Sequence, residues 1–150
     1  MQFGLHLGTR GVAARAGGLK RVAQHCERLG LSHFGLSDHV IIPARTDSRY
    51  PYNDEGTWPA SDTGLCLEQI TALTWAAAAT ERIRLLTSVM VLMHRPPVLA
   101  AKMLATLDTL SEGRLTLGVG VGWMAEELAV LGAPRFDRRG AASDEYIRAF

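Results

Sequence analysis

The 150-residue chain is short of several things, and each shortage removes a class of function. It has two cysteines, Cys26 and Cys66, far apart and outside any C-x-x-C spacing, so neither a disulfide scaffold nor a zinc ribbon is expected. Cys26 reads as a core residue. Long apolar runs are missing too. The longest, WAAAA and VMVLM, are far too short to span a bilayer, and the opening MQFGLHLGTRGVAARAGG lacks the unbroken apolar stretch of a secretory signal. A cytoplasmic chain with no membrane partner is expected. Neither sign of charge is in excess. Sixteen basic residues face fifteen acidic ones, and no basic cluster exceeds a pair such as Arg138-Arg139, which argues against nucleic acid. Catalytic signatures are equally sparse. Without His-x-His or His-Glu-x-x-His no metal site is expected, and without G-x-S-x-G around Ser88 a serine hydrolase is not. The stretch TLGVGVGW (116–123) is glycine-rich, yet it has Trp123 where the third glycine of a dinucleotide fingerprint belongs, and no Gly-Lys-Ser/Thr follows.

What is present is the pattern of an α/β protein. Hydrophobic residues make up 47% of the chain, enough for a core. Short extended runs occur at 3–7, 33–37, 84–89 and 115–120, each bounded by turn residues. Between the first two, Leu19, Val22, Ala23, Cys26 and Leu29 recur at helical spacing, and Gly30 stands where a glycine stops a helix. Between the last two, Pro96 and Pro97 open a helix with a stripe of Leu99, Met103, Leu107 and Leu110. A less regular helix over about 66–79 precedes the third strand, and SDEYIRAF (143–150) begins another. Strand starts repeat at about thirty residues except between the second and third, where an insertion at about 40–64 carries Tyr50, Tyr52 and Trp58. Loops after strands build the active face of parallel α/β proteins, so this loop is expected to be a mobile lid. Strand-helix alternation leaves an open sheet or a barrel; a (β/α)₈ barrel needs about 250 residues, so a barrel would be present here as its N-terminal half, about four βα units.

The candidate chemistry follows from that frame. Asp38 and His39 come directly after the second strand, where a charged pair against an apolar strand is costly unless it is used or hydrated. Adjacent residues in extended backbone point to opposite faces, so the two do not share a metal. His94 follows the third strand on the same face, and His6 lies in the first; His25 and His33 read as structural. Gly118, Gly120 and Gly122 alternate along the fourth strand, clearing one face for a flat ligand or for tight packing.

Several segments together resemble the luciferase-like flavin and deazaflavin oxidoreductases, in particular the branch that uses coenzyme F420. They are LSDHVIIP (36–43), YPY (50–52), TERIRLLTSVMVL (80–92), RPPVLAAKMLATLDTLSEGRLTLGVGVGW (95–123) and RRGAASDEY (138–146). The resemblance covers nearly the whole chain, and 101–123 is its most specific part. It implies a (β/α)₈ barrel with the cofactor ring over the C-terminal strand ends. It also implies that Asp38 binds the cofactor and that His39 faces the reacting centre as its proton donor or acceptor. A non-prolyl cis peptide is implied at Ser88-Val89 behind the ring, with Gly118, Gly120 and Gly122 bordering it. Sugar-phosphate-oxidising members carry a glutamate just after the fourth strand; Trp123 stands there instead, so that substrate class is not expected. The resulting expectation is hydride transfer between F420 and a small organic substrate. The alternatives are an FMN-dependent monooxygenase of the same fold and, from a different class, a barrel relative that only binds ligand. A homodimer is left open as the assembly.

Overall fold

The structure is a computed structural model that describes residues 1–11, 14–15, 17–58 and 65–150. Four parallel strands, β1 (Gly4–Leu7), β2 (His33–Leu36), β3 (Arg84–Val91) and β4 (Leu115–Gly120), pair in chain order. Helices α1 (Gly18–Arg28), α2 (Gln69–Ala79) and α3 (Pro97–Leu110) connect them, and α4 (Ala125–Val130) and α5 (Arg139–Ala149) follow β4. The four strands and the helices α1 to α3 fall where the periodicity places them. Gly30 adopts φ 76°, and beside it the Leu31 N–H reaches back to the Cys26 carbonyl, closing α1 in the way a left-handed residue permits. Pro97 occupies the first turn of α3, where its missing N–H costs nothing.

The core lies between the sheet and the helix layer. Phe34, Leu36, Leu85 and Met90 from the strands meet Leu19, Ala23, Leu73, Ala76 and Leu107 from the helices. The buried face of α3 only partly matches the stripe expected from sequence. Leu107 and Met103 pack on the core as expected, but Ala100 and Leu104 complete the inward face while Leu99 and Leu110 are exposed. A methyl group at position 100 lets the helix approach the sheet closely, which turns its inward face partly off the stripe. The short helix α4 was not anticipated at all.

β3 carries the one irregularity of the sheet. Thr87 pairs with Leu117 and Met90 with Val119, so Ser88 and Val89 together oppose Gly118, and the Ser88-Val89 peptide is cis. A bulge removes ladder partners, and the buried Thr87 side chain replaces them: its hydroxyl donates to the Gly118 carbonyl at 2.8 Å and accepts from the Gly118 N–H at 2.9 Å.

β1 and β4 are the two edges of this sheet, and Val89, Leu117, Val119 and Val121 remain exposed around it. Open edges beside apolar surface are templates for further pairing. The 150-residue chain by itself is therefore expected to self-associate. Size-exclusion chromatography with light scattering measures this, and a monomer that unfolds cooperatively would contradict it.

Candidate active site

The strand ends converge on a buried ionic network. Directly after β2, Asp38 turns its carboxylate into the protein, where Oδ2 accepts from the Val91 N–H at 3.0 Å and both oxygens accept from Arg95 at 2.9 Å. The same guanidinium reaches Glu68 through Nε at 3.0 Å, and Glu68 caps α2 by accepting from the Ile70 and Thr71 N–H groups. Burial opposes ionisation of Asp38, but hydrogen bonds from Arg95 and His94 outweigh it and hold the carboxyl far below the usual carboxylate range. For Arg95 burial works against the charge, while Asp38 and then Glu68 more than restore it, so the guanidinium stays charged.

His39 points the other way, as neighbours in extended chain do. Its Nδ1 lies 2.8 Å from Oε2 of Glu127, a carboxylate with 1% exposure in the first turn of α4. The other Glu127 oxygen accepts from the Val40 and Ile41 N–H groups at 2.7 and 3.1 Å. Desolvation pushes the Glu127 carboxyl up, yet the His39 hydrogen bond, both nearby imidazoles and the Val40 N–H bring it below its ordinary value. An ionised carboxylate only accepts, so His39 carries its hydrogen on Nδ1, and Nε2 is left to whatever enters the cavity that the ring lines. His94, considered from sequence as a ligand contact, is buried and lines the same cavity, its Nδ1 3.4 Å from Asp38 and its Nε2 3.6 Å from Glu127.

Adjacent Glu126 holds the next part of the inserted loop. It accepts from Thr46 Oγ1 and from the Asp47 and Ser48 N–H groups, while the Ser48 hydroxyl accepts from the Ala125 N–H. The described part of the loop is thus bonded to α4 at both ends of residues 40–48; residues 59–64 lie outside the described residues.

Above these groups opens a cavity of about 400 Å³ lined by His6, Asp38, His39, Ser88, Val89 and Gly122, with Tyr50, Tyr52, Trp58 and Trp123 forming one wall. A second cavity of about 550 Å³ shares Val89, Gly122 and Trp123 with it and adds Arg139. The Arg139 guanidinium stacks on Phe136 at 4.0 Å and donates through one nitrogen to the Phe136 carbonyl, but its Nε is buried with no hydrogen-bond partner. The alternating glycines have distinct neighbours. A Cβ at Gly118 would collide with the Thr87 carbonyl, and one at Gly120 would come within 2.7 Å of Val89, so both make room for the β3 bulge. Gly122, at φ 79°, borders both cavities; Gly118 lines neither. Among the described residues no cluster is suited to a metal ion, and no helix is long and apolar enough to cross a membrane.

The sequence profile of the luciferase-like monooxygenases matches residues 1–150. The chain belongs to this family. An uncharacterised protein from Mycobacterium tuberculosis is 35% identical over 151 residues, which is 99% of this chain and 51% of the relative. The chain thus spans about half the length of such curated relatives. Among solved structures, monooxygenase RslO1 from Streptomyces bottropensis superposes with a TM-score of 0.71 at 28% identity, over 99% of this chain and 41% of that one. An F420-dependent secondary alcohol dehydrogenase superposes with a TM-score of 0.72 at 20% identity, over 99% and 40%, a likeness of fold. The four βα units of this luciferase-like chain therefore correspond to half of a barrel.

Asp38, Glu68 and Glu127 all have carboxyls held below their ordinary values. Unfolded carboxyls titrate near about pH 4, so the stability these groups contribute is complete above about pH 5 and is lost as pH falls through that value. In the full-length protein Tm should be level from neutral pH to about 5 and fall below about 4. Glu127→Gln should cost about 1–3 kcal/mol at neutral pH and shrink the acid-side fall, as read by melting curves across pH.

Proposed function

We propose that the chain forms the reacting end of an oxidoreductase that exchanges a hydride between coenzyme F420 and a small organic substrate, with His39 handling the accompanying proton. One observation carries this reading: a cavity-lining imidazole is held through Nδ1 by a buried carboxylate at 2.8 Å, leaving Nε2 as the ring nitrogen available to a ligand. The residues present fit a flat, anionic-tailed cofactor. Ser88, Val89 and Gly122 line the floor, and the guanidinium of Arg139 on the adjoining cavity suits an anionic group.

When bound, F420 would supply the hydride acceptor or donor. Nε2 of His39 would take the hydroxyl proton of a carbinol substrate as it is oxidised to a carbonyl, and would return that proton in the reverse direction. Glu127 keeps the imidazole oriented and balances the positive charge it gains. Asp38, turned onto Arg95, supports the β3 end and the floor from beneath. Trp58, 4.4 Å from His39 between ring centroids, shields that histidine from water. The sequence likeness to the monooxygenase RslO1 favours a second reading, a monooxygenase built on the same site, for which FMN is the expected cofactor.

The absorption and fluorescence of the cofactor that copurifies with the full-length protein separate the two. In either case His39→Gln should lower the chemical step by about 10²–10⁴ and remove its pH dependence, while cofactor affinity stays within about a few-fold. Asp38→Asn should weaken cofactor affinity more than it slows bound turnover. Full turnover by His39→Gln with an unchanged pH profile would defeat the assignment and make His94 and His6 the next candidates for the proton transfer.

A further inference from the structure

The wall opposite the β3 bulge is made of rings. Trp58 contacts Trp123 at 5.9 Å and 71°, Trp123 contacts Tyr50 at 5.2 Å and 73°, and Tyr50 contacts Tyr52 at 5.3 Å and 72°. Trp58 in turn lies against His39, tilted by 38°. The three pairs from Trp58 to Tyr52 form an edge-to-face series, a preferred geometry for aromatic pairs, and its Trp58 end lies against His39. It is also built in advance of any ligand. Glu126 fixes residues 46–48, and the Tyr50 N–H donates to the Gly56 carbonyl at 2.8 Å, closing the turn that carries Tyr50 and Tyr52.

We infer that this wall selects the substrate: an uncharged aromatic or alicyclic ring compound that presents a carbonyl or carbinol carbon to His39. The inference rests on the hydride-transfer reading above and adds the substrate class to it. Ring faces carry negative potential and repel phosphate or carboxylate groups, whereas a flat apolar ring gains both burial and edge-to-face contact there. Arg10, a cation on the same cavity, stands 4.4 Å over Trp58, where it complements that potential. The carboxylates of the cavity are already saturated by Arg95, backbone N–H groups and histidines, so a polyhydroxylated sugar finds few partners for its hydroxyls.

Calorimetric titration of the full-length protein, cofactor-free and loaded with F420, tests this with acetophenone and cyclohexanone as ring probes and a hexose 6-phosphate as comparator. The ring probes should bind saturably and the hexose phosphate should not. Trp123→Ala should weaken ring-probe binding by about tenfold or more, and Trp123→Phe should restore most of it. In turnover, KM for the ring substrate should rise more in Trp123→Ala than kcat falls. Melting curves identify any variant that fails to fold, and Trp123→Phe keeps the comparison readable in that case. Tight hexose phosphate binding, or ring-probe affinity unchanged in both Trp123→Ala and Trp58→Ala, overturns the inference. Trp123-dependent binding of the ring probes without any F420-linked turnover upholds the ring site while removing the hydride-transfer reading. Turnover of a hexose phosphate that depends on His39 does the reverse.

Discussion

The bidentate pairing of Asp38 with Arg95 is the constraint from which the site is assembled. Burying two charges is costly, and the cost is offset only when every lone pair and N–H has a partner. Here it is met by drawing three separate pieces of chain to one point: the end of β2 through Asp38, the end of β3 through the Val91 N–H, and the start of α2 through Glu68. Removing either partner would strand a buried charge, so the pair fixes the relative height of the strand ends more firmly than apolar packing would. The β3 bulge and the cavity floor are set by that height.

On this base adjacent residues at one cavity take different partners. Asp38 binds Arg95 and the Val91 N–H while His39 binds Glu127, an alternation that the extended backbone imposes. His94 lies between the Asp38 and Glu127 carboxylates, so the two sets of contacts meet at one imidazole. Such coupled polar clusters are rigid where their bonds are made, as at the 2.8 Å contact that holds the His39 ring on Glu127, while His94 Nδ1 stays buried without a hydrogen-bond partner.

Much of the fold was legible in the sequence because strands and helices announce themselves by period. The runs beginning at 33, 84 and 115 became β2, β3 and β4, and Gly30 and Pro97 bounded helices as their backbone preferences require. The α3 face was misjudged in part because hydrophobicity ranks leucine above alanine, while close packing on a sheet favours the smaller residue at position 100. Glu127 escaped notice for a different reason: its partner His39 is 88 positions away, and nothing in the local pattern of a surface-type helix marks one of two adjacent glutamates as buried. The cis peptide at Ser88-Val89 came only through family resemblance, since no spacing rule encodes it. The glycines at 118 and 120 were read as clearing a face for the cofactor ring, but their close neighbours are Thr87 and Val89 of β3.

Glu126 and Glu127 are consecutive residues on one helical turn, and each grips a different stretch of the loop after β2. His39 and the ring-bearing wall are consequently hung from a single short helix that belongs to another βα unit. For protein engineering this sets the size of the transferable module. A loop transplanted from a relative to alter substrate range brings its aromatic rings but leaves their anchor behind, unless α4 travels with it. Recombination boundaries in this half-barrel belong outside the pair, before β2 and after α4, so that wall, histidine and anchor are exchanged as one piece.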